Sequence, residues 1–336
     1  MAAGSLSDKV TPIEAGAPVA AVAFLGPTPA LALEDGSVIF DPAGSRQRVI
    51  AHPDATLLLA VPLRDKFITG GDDGRVVATS LNGAVQEIAN EKGKWIDALA
   101  ARADGAIAWS SGKMVKARDP AGEDKTFTAP SSVRGLAFLP KGYRLAIAHY
   151  NGASLWFPNV ASSPDLFEWK GSHLMIAVSP DGRFIVTTMQ ENTLHGWRVS
   201  DKQDMRMSGY PAKTRSLSWS RNSQWLATSG ADGAVIWPFK DKDGPIGKSP
   251  LECGIRNMKV TCVAFHPESQ ILAQGYEDGL VLLCRIKDGG ELVVRKPQES
   301  GGESGGAISA LAWDEPGRRL LYGAADGTAG HLTLPG

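Results

Sequence analysis

One short pattern returns along this chain about every forty residues: an apolar run, a turn built on Asp-Gly or a near equivalent, and a second apolar run. Its clearest copy runs Trp225-Leu226-Ala227-Thr228, then Asp232-Gly233, then Ala234-Val235-Ile236-Trp237. Asp-Gly supplies the positive φ that a tight reversal needs, and β-branched and aromatic flanks suit extended pairing, so the segment predicts a β-hairpin. Equivalent turns stand at Asp35, Asp73, Ser111, Asn151, Asn192, Asp232, Asp278 and Asp326, at intervals of 38 to 48 residues.

Each interval holds four short extended segments. In the first they are Val19–Phe24, Ala30–Leu33, Ser37–Phe40 and Gln47–Ile50. The first segment alternates small and large residues in copy after copy, as in Ala21-Val22-Ala23-Phe24, Gly135-Leu136-Ala137-Phe138 and Cys262-Val263-Ala264-Phe265. Small residues are required where neighbouring units crowd toward an axis, and a helix would show a 3.6-residue period instead. Four strands per forty-residue unit predict an all-β, single-domain β-propeller of four-stranded blades, with eight blades expected and seven as the alternative.

The repeats fall at 17–50, 51–89, 90–129, 130–170, 171–211, 212–256, 257–297 and 298–336. The last ends at Gly330-His331-Leu332-Thr333-Leu334 without a fourth strand, while Lys9-Val10-Thr11-Pro12-Ile13 belongs to no hairpin of its own. Residues 1–16 are therefore expected to supply the missing outer strand and close the last blade. Pro12 is tolerable on an outermost strand, which is bonded along one edge only. Two inserts, Asp241–Gly247 and Pro297–Gly306, are expected to be mobile surface loops.

At Ser229-Gly230-Ala231-Asp232-Gly233, Gly71-Asp72-Asp73-Gly74 and Tyr276-Glu277-Asp278-Gly279, and again at Val263-Ala264-Phe265-His266-Pro267 and Ala177-Val178-Ser179-Pro180-Asp181-Gly182, the chain resembles the WD40-repeat family. The resemblance covers nearly the whole chain. It implies a propeller without catalytic activity of its own, used as a protein-interaction platform. The family often pins its blades with a tetrad of His, Ser/Thr, Asp and Trp, and no repeat here has all four. The second has His52, Thr69 and Asp73 but no Trp; the fifth has His173 and Trp197 but Asn192 at the turn; the sixth has Asp232 and Trp237 but no His.

Charge and composition exclude several functions. The formal net charge of −1 gives no bulk electrostatic case for nucleic acid or an anionic membrane, and no apolar run approaches the ~20 residues that span a bilayer. Three cysteines, Cys253, Cys262 and Cys284, form no metal-ligand spacing and read as reduced thiols of a cytoplasmic protein. The six histidines are scattered without a metal-ligand pair, and no nucleophile elbow or phosphate loop is present, so no metal, cofactor or catalytic residue is expected. The alternative is a lactonase-like or quinoprotein-like propeller enzyme, its site assembled over the central channel from distant loops.

In a propeller the residues entering the first strand of each blade share a rim with the central turns. Aligning the repeats places Asp97, Arg134 and Arg215 at one equivalent position, and Trp95, Lys213 and Lys259 two residues earlier. Trp and Arg are enriched at binding hot spots because they join buried area to directed hydrogen bonds. These six residues are the expected partner-binding rim of a non-catalytic scaffold that takes a protein or peptide, either as a monomer or as a subunit of a complex. Asp72, Glu191 and Glu277 make that rim bipolar, which argues further against nucleic acid.

Overall fold

A computed structural model describes residues 4–42, 45–298 and 306–334. Among the described residues, every regular element apart from one 3-10 turn at Ser7–Lys9 is a strand. The repeats form antiparallel meanders; the sixth, for example, runs Leu217–Trp219, Trp225–Thr228, Ala234–Pro238 and Leu251–Cys253. The fold class is that of an all-β propeller of four-stranded blades.

The strands make seven sheets rather than eight. The expectation of eight blades thus gives way to the alternative of seven: the fourth and fifth repeats share one six-stranded sheet, in which Leu145–Trp156 is one continuous element, pairing through Leu145–Ala148 with Phe138–Gly135 and through Gly152–Leu155 with Glu168–Asp165. Asp165–Val178 is a single strand: Asp165–Glu168 pairs with Leu155–Gly152 as the outer strand of the fourth repeat, and His173–Val178 pairs with Met189–Ile185 as the inner strand of the fifth. The joining segment Trp169-Lys170-Gly171-Ser172 holds no proline or Asp-Gly pair to force a turn. Gly171, at φ 131°, takes a backbone conformation there that side-chain-bearing residues rarely adopt.

Contacts divide the chain into two compact units, Ile50–Gly209 and Met1–Val49 with Tyr210–Gly336. The first holds repeats two to five; the second holds repeats one, six, seven and eight. In each, the core lies between consecutive blades. In Ile50–Gly209, Ile68, Ile96 and Trp109 pack between the second and third repeats, and Phe167, Ile185 and Trp197 between the fourth and fifth. In the other unit Leu272 and Tyr276 lie against Ile236, and Leu31 and Ile39 against Leu321.

Glycine sets the spacing between two of these blades. A Cβ on Gly275, at the end of its repeat's second strand, would meet Ile308 of the next repeat at 2.5 and 2.6 Å. Hydroxyls stitch the same inner strands. Ser309 Oγ donates to the carbonyl of Val19 at 2.6 Å, Thr261 Oγ1 to that of Ile308 at 2.5 Å, and Ser218 Oγ accepts the Phe265 N–H at 2.9 Å.

The N-terminal expectation holds: Val10–Glu14 pairs antiparallel with Thr328–Thr333 and completes the last blade, with Pro12 opposite Gly330. The sequence did not show a second attachment. Gly4–Ser5 pairs parallel with the outer strand Gly290–Arg295 of the seventh repeat, so this short segment is tied to two consecutive blades. Of the two inserts, Asp241–Gly247 is held by its own turns, with Lys248 Nζ donating to Asp241 at 2.5 Å and to the Gly244 carbonyl at 3.0 Å. Residues 299–305 of the second lie outside the described residues.

The turns also differ in one place. Gly36, Gly74, Gly279 and Gly327 have the expected positive φ, and their preceding Asp side chains cap the N–H two residues on at 2.9–3.1 Å. In the sixth repeat the positive φ falls on Gly230 (100°) instead of Gly233. Gly233 is needed for room, since a Cβ there would meet the Cys253 carbonyl at 2.8 Å.

Candidate functional site

The polar pins of the blades fix the turns on which the rim stands. In the second repeat His52, Thr69 and Asp73 assemble as the sequence suggests. His52 Nδ1 lies 3.0 Å from the Asp73 carboxylate and Nε2 lies 2.8 Å from Thr69 Oγ1, whose hydroxyl donates to the Val77 carbonyl at 3.3 Å. In the fifth, His173 Nδ1 lies 2.7 Å from Thr187 Oγ1 and Nε2–H donates to the Trp169 carbonyl at 2.9 Å. In the sixth, the place left open by the missing histidine is taken by Tyr210. Its hydroxyl lies 2.7 Å from Thr228 Oγ1 and accepts the Trp237 indole N–H at 2.7 Å.

The fourth repeat turns the arrangement round. His149, from its second strand, donates Nδ1–H to the Tyr150 carbonyl at 3.0 Å and takes Ser154 Oγ–H on Nε2 at 2.8 Å. Burial lowers the pKa of His149 and His173 and holds that of His195 down to about 3, so these rings are neutral near pH 7. Burial likewise pushes the phenols of Tyr210 and Tyr276 up, which keeps them as protonated hydrogen-bonding groups. Among the described residues no cluster of three or more His, Cys, Asp and Glu could hold a metal ion.

The six rim residues divide between the units. In Ile50–Gly209, Trp95 is 61% exposed, so it does not pack between blades. Asp97 accepts the Gly112 N–H at 2.7 Å, capping the central turn of its own repeat, and Arg134 Nη1 lies 3.4 Å from the same carboxylate. Arg134 is thereby positioned by Asp97 while its side chain stays 56% exposed.

In the other unit Lys213 and Arg215 are exposed and Lys259 is half-buried. None of the three forms an ion pair with a described residue, so their charges are available to a partner. The backbone beneath them is fixed: Arg215 N–H and Ser216 N–H both donate to Ser229 Oγ at 3.1 Å, and the Lys259 carbonyl accepts the Glu277 N–H at 3.0 Å. Beside Lys259, the link between the sixth and seventh repeats exposes Ile255 (59%) and Met258 (43%). Sequence reasoning missed this apolar pair. Its signal was there in Gly254-Ile255-Arg256-Asn257-Met258, a link whose large apolar residues do not continue either strand.

A family model described as "WD domain, G-beta repeat" matches residues 203–237 and 254–284, which hold the first three strands of the sixth and seventh repeats, the outer strand of the fifth, and the turns at Asp232 and Asp278. Among curated proteins the chain is 26% identical over 172 residues to the ribosome biogenesis protein WDR12 homolog of Drosophila mojavensis, covering 45% of this chain and 39% of that protein. It is 26% identical over 196 residues to the periodic tryptophan protein 2 homolog of Neurospora crassa (48% and 21%), and 24% identical over 212 residues to the human angio-associated migratory cell protein (62% and 46%). The chain thus spans less than half the length of each of these relatives. A crystal structure of the computationally designed Ika8 protein superposes with a TM-score of 0.76 over 97% of this chain and 98% of that one, at 17% identity, a likeness of fold alone. The matched stretches, the four-stranded blades and the incomplete polar tetrads support a divergent WD40-repeat β-propeller.

Proposed function

We propose that this protein is a non-catalytic scaffold that binds a protein or peptide across the rim formed by its central turns and blade links. The observation that carries the proposal is that Lys213, Arg215 and Lys259, none in an ion pair with a described residue, stand on blade links of one unit that also exposes Ile255 and Met258 next to Lys259. Exposed apolar area next to unneutralised cations favours a partner that brings both an apolar anchor and an acidic group. The hydrogen bonds that His149, His173 and Tyr210 make within their blades support a structural role for these buried polar groups. Likeness to a protein named for ribosome biogenesis supports membership in a multi-protein assembly.

The test is affinity capture with the full chain, followed by charge reversal at Arg134 and at Arg215. Loss of a captured partner at an unchanged melting temperature supports the rim. Full retention by both variants moves the site elsewhere.

A further inference from the structure

The junction of the fourth and fifth repeats is where the chain departs most from its own pattern. The unbroken strand Asp165–Val178 carries Trp169 and Lys170 directly between two blades, beside the fourth repeat's turn at Tyr150-Asn151 and the fifth's at Glu191-Asn192. A concavity of about 470 Å³ opens there, wholly within Ile50–Gly209. Its apolar walls are Tyr150, which is 53% exposed, the half-buried Trp169 and the Met189 thioether. Its charged groups are Lys170, Arg206 and Glu191, all exposed and none in an ion pair with a described residue.

The aromatic wall is rigid before any ligand arrives. The Trp169 ring stacks on the buried ring of His195 with centroids 4.0 Å apart and planes 17° apart, and His195 meets Trp197 edge-on at 4.8 Å. The Trp169 carbonyl is held by His173. A side chain fixed in this way loses little freedom on binding, so more of the contact energy is available as affinity.

We propose that this pocket takes a peptide segment of a partner in which an aromatic residue adjoins an acidic one. The aromatic ring packs against Tyr150, Trp169 and Met189, and the carboxylate pairs with Arg206 and Lys170. Two cations face one carboxylate, so the pocket holds one uncompensated positive charge, which a single acidic side chain neutralises. A second acid on the ligand meets Glu191, and a basic residue in place of the acid meets Lys170 and Arg206. Selection is thus for one acid at one side of the ring. The inference rests on the scaffold function proposed above and narrows it to one place and one chemistry.

The test uses the full chain labelled with ¹³C at its methionine methyls and three probes: N-acetyl-tryptophanyl-glutamate amide and its glutamine and lysine analogues. The Met189 methyl should shift on addition of the glutamate probe, with an apparent affinity at least tenfold above that for the other two. Arg206→Ala should abolish that preference and keep the residual response to the ring; Tyr150→Ala should weaken the response to all three. Both residues are exposed, and unchanged resonances of the other methionines verify the fold. An unmoved Met189 methyl, or equal responses to the three probes, overturns the proposal. A captured protein partner that both variants retain in full sinks this site while leaving the scaffold function standing. A chain that captures no partner and still discriminates the probes does the reverse.

Discussion

The Tyr210 hydroxyl lies 2.7 Å from Thr228 Oγ1, as His52 lies against Thr69 in the second repeat, and it also accepts the indole N–H of Trp237 at 2.7 Å. Both side chains are buried, so removing the hydroxyl leaves an indole N–H without an acceptor. Tyr210→Phe should cost about 1–3 kcal/mol, the usual penalty for a buried group left unpaired. Urea denaturation measures it; a loss indistinguishable from zero would show that the phenol is not the pin.

Gly275 and Ile308 are a second close pair, one at the end of a second strand and the other entering the next repeat. Gly275→Ala sets a methyl 2.5–2.6 Å from two Ile308 carbons. Overpacking of this kind should lower stability by about 1–3 kcal/mol. Ile308→Ala removes the Cγ2 nearest the new methyl, so the double variant should lose less than the sum of the two single losses; strict additivity would argue that the two residues do not touch.

Acid should act through the histidine core of the fourth and fifth repeats. His195 is held down to about 3 by burial, whereas a histidine in an unfolded chain titrates at its ordinary 6.5. The unfolded state therefore binds the extra proton between those values. The contribution of His195 to stability is complete above pH 6.5 and is lost progressively as pH falls from 6.5 toward 3. Denaturation midpoints taken from pH 7.5 to 4.5 should fall for the wild type and fall less steeply for His195→Phe. Parallel profiles would remove His195 as the cause.

Deletion of residues 1–15 should strip the outer strand from the last blade and expose the core it covers. Ile13 is 1% exposed, and its burial alone is worth about 1.5–3 kcal/mol. The melting temperature should fall on the order of 5 °C or more, where loss of a frayed end would leave it unchanged.

Much of this fold is legible in the sequence because its signals are local. Asp35, Asp73, Asp278 and Asp326 each announce a turn by themselves, and alternation along Ala310-Leu311-Ala312-Trp313 announces an inner strand. What stays hidden depends on partners far apart in sequence. Tyr210 reads as a linker residue until it is seen against Thr228 and Trp237. Ile255 and Met258 read as ordinary apolar residues until their exposure is known. The fusion of the fourth and fifth repeats is hidden for another reason. Only the lack of a strong turn residue near Gly171 marks it, and such a lack is weak evidence beside a positive signal. Of the six rim residues, the Asp97–Arg134 pair could be foreseen as neighbours from repeat alignment, while the side-chain exposure of Trp95 could not.

The continuous strand Asp165–Val178 also bears on how this chain can be re-engineered. Circular permutation and domain insertion succeed where the backbone leaves one element and has yet to enter the next. The hydrogen-bonded excursion at Asp241–Gly247 offers such a gap, inside a single repeat. Between the fourth and fifth repeats there is none. New ends placed at Gly171 would fall within one strand that serves two blades, freeing the outer edge of one and the inner edge of the other at once. The repeats that look interchangeable in sequence are therefore not interchangeable as places to cut.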